Sequence, residues 1–315
     1  MPRVSVIIPA WQAEAFVGRA IASAAAQTLA DIEIIVVNDC STDGTAQVVA
    51  RAAAGDPRVV LINHVANGGP SVARNTALEA AKGDWVAILD ADDCMDRARL
   101  GALVDAAEKA GADIVADDLL VVNEVLPGAA HAPHLGLKSE QVISLAGFAR
   151  NNGMFNGARH TGYLKPLFRR AFLAQHGLRY DPAVRIGEDY MFVAAALALG
   201  ARYVLVPRAL YRYHVRGGSI SRRLNPGDVD LLLAADDRFQ ARFASALDAP
   251  TRAAIAARRA SLEDARAFVN AVDALKRRQF GQALSAVLRR PASVRHFGMP
   301  IGARLARLGW RRGGS

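Results

Sequence analysis

Cysteine is nearly absent. Cys40 and Cys94 are the only two in 315 residues. They are too few for a disulfide framework and lack the paired spacing of a zinc site, so a reducing cytosolic setting is expected. No apolar run reaches the roughly 18–20 residues that a bilayer-spanning helix needs. MPRVSVIIPAW at the start has a charge and a short apolar stretch, but Pro9 follows at once and no small-residue cleavage site appears, so a signal peptide is not expected. The first strand–helix turn, PAWQAEAF, has no glycine, which argues against the GxGxxG turn of dinucleotide-binding enzymes, and no GxxxxGK[ST] phosphate loop occurs. Acidic residues are missing from residues 274–315, which hold ten Lys and Arg. The preceding residues 1–273 carry 29 basic and 30 acidic side chains, so the net charge of +9 belongs to the tail. A main body without a basic surplus weakens a nucleic-acid reading, which calls for a basic face, and no nucleic-acid partner is expected.

What is present is a strand–helix alternation over the first 120 residues. VSVIIP (4–9), IEIIVVND (32–39), RVVLIN (58–63) and WVAILD (85–90) are apolar runs of strand length. Helical patterns separate them: EAFVGRAIASAAAQ (14–27), TAQVVARAAA after the N-cap chemistry of Ser41-Thr42-Asp43, and SVARNTALEAAKG. The order predicts a parallel sheet with right-handed crossovers, whose ligands bind beyond the carboxyl ends of the strands. Three polar clusters fall there: Asn38-Asp39, Asn67-Gly68-Gly69 and Asp90-Ala91-Asp92-Asp93.

Each cluster has a functional and a structural reading. Asp39 could accept the N3–H of uracil or thymine, where cytosine presents a lone pair; or it could cap a turn through Ser41. Asp90, Asp92 and Asp93 crowd like charges at a strand end, which suits Mg²⁺ or Mn²⁺ completed by water and substrate phosphate; one of them could instead cap the helix expected near Arg97. Further on, IGEDYMFVAAALALG (186–200) opens a helix with Glu188-Asp189, where acids also favour the helix dipole. After the strand YVLVP (203–207), Arg212, His214, Arg216 and Ser219 surround a Gly-Gly break that reads as a strand end and a mobile loop. Arg212 and Arg216 suit a diphosphate by charge and fork geometry, and His214 is either a further metal ligand or a structural histidine. Asp117-Asp118 and Asn152, Gly153, His160 and Lys165 show too little pattern to assign.

VSVIIPAWQAE, IIVVNDCSTDGT, NGGPSVARNTALEAAKGDWVAILDADD and GEDYMF, in this order over residues 3–220, resemble the family 2 inverting glycosyltransferases. The resemblance implies a GT-A α/β fold: a Rossmann-like nucleotide-binding half with a mostly parallel central sheet (1–120), an α/β acceptor half (121–225) and a helical, basic C-terminal extension (226–315). It also implies a divalent metal and a nucleotide-diphosphate sugar, with a UDP-sugar expected. Pro9 and Ala10 would line the nucleoside pocket, Asp39 read the base and Arg74 approach the nucleotide, beside Asn67 and Gly69. Asp90 would reach the ribose or sugar next to Ala91, Asp92 would hold the metal with His214 a candidate partner, and Arg212, Arg216 and Ser219 would face the diphosphate. Displacement at an anomeric carbon needs a base for the acceptor hydroxyl; the resemblance assigns it to Asp189, with Glu188 its neighbour. Trp11-Gln12 departs from the aromatic-Asn pair frequent in the family.

A Gln-x-x-Arg-Trp motif and transmembrane runs, usual in processive synthases of this family, do not occur, so addition of one sugar is expected. The acceptor implied is a glycan, lipid-linked, in exopolysaccharide or cell-surface polysaccharide assembly. A non-catalytic sugar-nucleotide or glycan-binding protein is the competing reading; it would be expected to have lost Asp92 or Asp189. The last forty residues interleave Arg with Phe280, Leu284, Val287, Leu288, Phe297, Leu305, Leu308 and Trp310. This pattern fits peripheral contact with the anionic inner face of the membrane, or a solvated tail.

Overall fold

The protein is described by a computed structural model over residues 1–125, 131–155, 160–216 and 226–297. Its centre is a ten-stranded mixed sheet. Strands β1 (Val4–Ala10), β2 (Ile32–Asn38), β3 (Val59–Asn63) and β4 (Trp85–Ile88) run parallel in the order β3-β2-β1-β4. β1 and β4 are buried at almost every position, as central strands covered on both faces must be. Helices α1 (Val17–Ala25), α2 (Thr45–Gly55) and α3 (Pro70–Ala80) are the crossovers. α1 buries Val17, Ala20, Ile21 and Ala24, the spacing of one helical face.

The second half enlarges the same sheet. After the short β5 (Cys94–Met95) and α4 (Arg99–Ala110) comes β6 (Ile114–Asn123), which spans residue 120. β7 (Ala132–Pro133), β8 (Gln141–Ile143) and α5 (Leu145–Asn151) lead to β9 (Leu167–Arg169), α6 (Arg170–Gln175), α7 (Glu188–Ala198) and β10 (Tyr203–Val215). β9 lies antiparallel between β4 and β6, and β10 runs parallel to β6. β10 does not stop at Pro207: its pairing with β6 shifts register between Val206 and Tyr211, then continues to Val215. Pro207 has no N–H for the ladder, so a bulge there lets the strand resume. Arg212 and His214 are therefore strand residues, a correction to the strand end and loop expected from the sequence.

α7 is apolar all round, with Tyr190 to Leu197 buried. Phe192 packs edge-on to Phe168 of β9, and Tyr190 stacks on Phe148 of α5 at 5.1 Å. These contacts fix the helix start that bears Glu188-Asp189.

Helices α8 (Pro226–Phe243), α9 (Ala249–Lys276) and α10 (Phe280–Arg289) follow, then a 3₁₀ turn at Pro291–Phe297. Asp248 caps α9 by accepting from the Thr251 N–H at 2.8 Å. The tail is not a solvated appendage as far as Phe297. Arg290 pairs with Glu263 and Asp264, Arg295 with Asp264, and the Phe297 ring meets Phe268 at 4.9 Å.

Candidate active site

At the end of β2, the Asp39 carboxylate is buried and accepts from the Gly68 and Gly69 N–H groups at 2.9 and 2.8 Å. His64 Nδ1 lies 2.8 Å from Oδ1, and His64 Nε2 is 2.9 Å from the Thr76 hydroxyl. Asn67 donates to the Asp39 carbonyl at 3.1 Å. Gly69 has φ +83°, a conformation open to glycine, and stands just before α3. Asp39 thus holds the Asn67–Gly69 turn, not Ser41, whose hydroxyl accepts from the Gln12 N–H. Oδ2 has one partner here, and a carboxylate oxygen can accept a second hydrogen bond.

Pro9 and Ala10 end β1 beside this loop; the Ala10 carbonyl accepts from the Asp39 N–H at 2.8 Å. Gln12, at φ +49°, ties the first turn to the second through Thr42, donating to its hydroxyl and accepting from its N–H at 2.8 Å. The N-terminus of α2 is served by Asp43, which accepts from the Thr45 N–H at 3.1 Å, and by Glu14, which accepts from the Gly44 N–H at 2.9 Å.

The carboxylates after β4 have three different environments. Asp93 is buried: it accepts from the Tyr211 hydroxyl at 2.9 Å and from the His214 N–H at 2.8 Å. Burial, with Asp90 and Asp92 nearby, pushes its carboxyl up to about 8. The Tyr211 hydroxyl in turn accepts from the Asp90 N–H at 3.1 Å, so β10 braces the loop. Asp90 resists the upward push of burial because Lys165 and Arg74 hold its carboxyl down at about 2. Asp92 is the exposed member, its side chain 46% accessible, with Arg216 Nη1 at 3.7 Å. Burial and Asp90 raise its carboxyl above the ordinary range. None of the three caps α4, where Asp96 accepts from the Ala98 N–H instead.

Across from this loop, the first turn of α7 supplies Glu188 and Asp189. Gly187, at φ +74°, turns the chain into the helix. Two buried cations join the two sides. Arg74 pairs with Asp90 at 3.1 Å and Glu188 at 2.8 Å, with Asp189 Oδ1 at 3.6 Å. Lys165 Nζ lies 2.8 Å from Asp90 Oδ2 and 2.7 Å from Asp189 Oδ2. Burial alone would lower both cations' pKa values, but Asp189 and Asp90, joined by Glu188 at Arg74, carry them well above the ordinary range. Burial, then Asp189, raises the Glu188 carboxyl. Asp189 Oδ1 is buried without a hydrogen-bond partner among the described residues.

Lys165 was not legible as a site residue. Its partners lie far away in the chain, so no spacing marks it. The same is true of Arg99, wholly buried, which pairs with Asp117 at 2.9 Å and donates to the Lys165 carbonyl. Asp117 also accepts from the Leu210 N–H at 2.8 Å, beside the β10 bulge. Asp118 accepts from the backbone of Leu119, Leu135 and Gly136. The ambiguous Asp117-Asp118 pair is thereby structural, one residue supporting the site from behind.

The β10 residues divide. Arg216 reaches the site: it contacts the Asp92 carbonyl, pairs with Glu124 at 3.0 Å, and lies over the Phe16 ring. Arg212 does not join the cluster; its partner is Asp96 at 3.7 Å. His214 Nδ1 bonds Glu124 at 2.7 Å and its Nε2 is buried with no hydrogen-bond partner among the described residues. Ser219 lies outside the described residues.

A metal test rests on the donor set. One oxygen each from Asp90, Asp92 and Asp93 lie within 4.8 Å of one another, the group of potential ligands found among the described residues, and His214 is not in it. Asp93 is engaged by Tyr211 and His214 N–H, and Asp90 by two cations, which leaves Asp92 as the carboxylate with room to bind. One protein ligand completed by phosphate oxygens and water is a normal shell for Mg²⁺ or Mn²⁺. The residues fit such an ion.

Comparison with known proteins agrees with this geometry. The family model described as Glycosyl transferase family 2 matches residues 5–175, more than half of the chain. The succinoglycan biosynthesis proteins ExoO and ExoU of Rhizobium meliloti (strain 1021) are 40% and 36% identical, over 99% and 92% of this chain and 88% and 84% of their own lengths. Among solved structures, S. aureus TarS 1-349 in complex with UDP-GlcNAc superposes with a TM-score of 0.63 at 17% identity, covering 92% of each chain. The mannosyltransferase PcManGT from Pyrobaculum calidifontis, in complex with GDP-Man and Mn²⁺, gives 0.58 at 20% identity over 97% of this chain and 80% of its own. Those likenesses give the GT-A fold, and the sequence matches give the membership: this chain is a family 2 glycosyltransferase.

Proposed function

We propose that the enzyme moves one sugar, with inversion, from a UDP-sugar to a glycan acceptor during exopolysaccharide or cell-surface polysaccharide assembly. The observation that carries this reading is Asp90, beside the exposed Asp92, and Asp189 of α7 meeting on the ammonium of Lys165. A donor-side loop and a base from the opposite side thus share one small, charged site. Asp189 takes the acceptor proton as its oxygen attacks. Lys165 and Arg74 orient Asp189 and Glu188, and Glu188 binds Arg74 or the acceptor.

Asp39 receives the uracil N3–H on the free capacity of Oδ2, and the Asn67–Gly69 turn, Pro9, Ala10 and Ala91 surround the nucleoside and sugar. Arg216, next to Asp92, faces the diphosphate. Mn²⁺ or Mg²⁺ on Asp92 would neutralise the departing diphosphate. Succinoglycan assembly by the relatives supports the polysaccharide role, and UDP-GlcNAc in the TarS complex supports the donor class. The acceptor is read as lipid-linked, with the enzyme cytoplasmic and peripheral at the inner membrane face through its C-terminal region; residues 1–120 serve the donor and 121–225 the acceptor and base. No helix among the described residues is long and apolar enough to cross a membrane.

A panel of UDP-sugars and GDP-sugars, scored for nucleoside diphosphate release with and without Mn²⁺, tests the proposal. Metal-dependent release from one or a few sugars is the expected result. Release from GDP-sugars alone would move the base specificity, and no release from any donor would favour a binding protein.

A further inference from the structure

Helix α10 carries an apolar face that nothing covers among the described residues. Phe280, Leu284 and Leu288 are 68, 60 and 67% exposed. Their four-residue spacing puts them in one stripe, about 12 Å long at 1.5 Å per residue. Only the flank of this face is packed: Ala283 is buried and Val287 half-buried where α10 meets α9. An amphipathic helix on the surface of a folded chain has its apolar side turned inward; here three large side chains face out.

The charges around the stripe say what meets it. Lys276, Arg277 and Arg278 are exposed immediately before α10 and Arg289 at its end. From residue 274 onward the chain has no acid. Arg277 is paired with Asp273 at 3.0 Å, and Arg290 and Arg295 are bound to Glu263 and Asp264, so these three do not contribute. A second copy is disfavoured as occupant, because a twofold contact through α10 would set these cations against their own copies. Residues 298–315 add Arg304, Arg307, Arg311 and Arg312 without an acid, so they meet the same repulsion. An anionic lipid surface offers what both lack: negative charge beside an apolar layer.

We infer that α10 lies in the plane of an anionic membrane, with Phe280, Leu284 and Leu288 inserted and Lys276, Arg278 and Arg289 at headgroup level. This rests on the peripheral reading of the C-terminal region and assigns the contact to one helix face. It fits an acceptor held in the bilayer.

The test uses the full chain and vesicles of phosphatidylcholine with and without phosphatidylglycerol. The chain is expected to bind the anionic vesicles, more weakly as salt rises. The Phe280→Ser/Leu284→Ser/Leu288→Ser variant is expected to bind them at least about tenfold more weakly, since each lost apolar side chain removes buried area, with unchanged circular dichroism. Phe280→Trp is expected to shift its emission to the blue on binding and to be quenched by brominated lipid, which reads insertion without relying on the triple variant. Vesicle binding that survives in the triple variant, with Phe280→Trp unquenched, would overturn the inference while leaving membrane contact elsewhere in the tail. Absence of vesicle binding would overturn both. Dimers that dissociate in the triple variant would assign the face to a second copy and overturn it as well.

Discussion

Asp92 and Asp189 invite different expectations because their neighbours differ. Asp92 is half exposed at a loop, so Asp92→Asn removes charge without opening the core. It is expected to abolish Mn²⁺-dependent UDP binding with an unchanged melting temperature, as calorimetry would show. Unaltered affinity would leave Asp92 as a loop residue held by Arg216. Asp189→Asn should instead spare UDP binding and lose turnover, by about 10²–10⁴-fold if it is the general base. Glu188→Gln is expected to lose less; a dead Glu188→Gln with an active Asp189→Asn would exchange their roles. Lys165→Met leaves the part-buried carboxylates of Asp90 and Asp189 with Arg74 as their remaining cation. Breaking a buried pair costs about 3–5 kcal/mol, so its denaturation midpoint should fall well below that of Lys165→Arg, and equal midpoints would show that Arg74 alone suffices.

At the scale of elements, the carboxylates after β4 were readable because their pattern is local: an apolar run, then three acids within four residues. The start of α7 was readable for the same reason. β10 reads as ending early because Pro207 and the polar residues after it look like an ending. The bulge absorbs the missing N–H, and the side chain of Tyr211 and backbone of His214 then brace Asp93 from the resumed strand. Lys165 was silent in the sequence because what defines it is convergence: β4, α7 and the segment before β9 meet only in space. Arg99 belongs to the same class. Arg99→Met would leave Asp117 buried without its cation and release the Lys165 carbonyl. A loss of about 3–5 kcal/mol is expected from denaturant unfolding, and a neutral result would mean that the Leu210 N–H satisfies Asp117 unaided.

For the whole molecule, the basic tail counts toward the fold as far as it is described. Up to there it is a packed element, and Asp264, itself buried, relies on Arg290 and Arg295 from it. Truncation after Ala274 should therefore lower the melting temperature; an unchanged melting temperature would make α10 dispensable to the fold. The net charge alone, read along the sequence, could not separate cations bound to acids from those facing outward.

The placement of β9 has a consequence for how the enzyme can be dissected. A three-residue strand from beyond residue 160 is hydrogen-bonded on one side to β4 and on the other to β6. A fragment ending near residue 113 would keep the loops proposed to surround the nucleoside, yet it would expose Trp85–Ile88 as a raw, wholly apolar sheet edge. Such an edge recruits other strands. The first half of this enzyme's sheet is therefore not a module that can be lifted out and grafted: its last strand, β4, is finished by a strand from the second half of the chain.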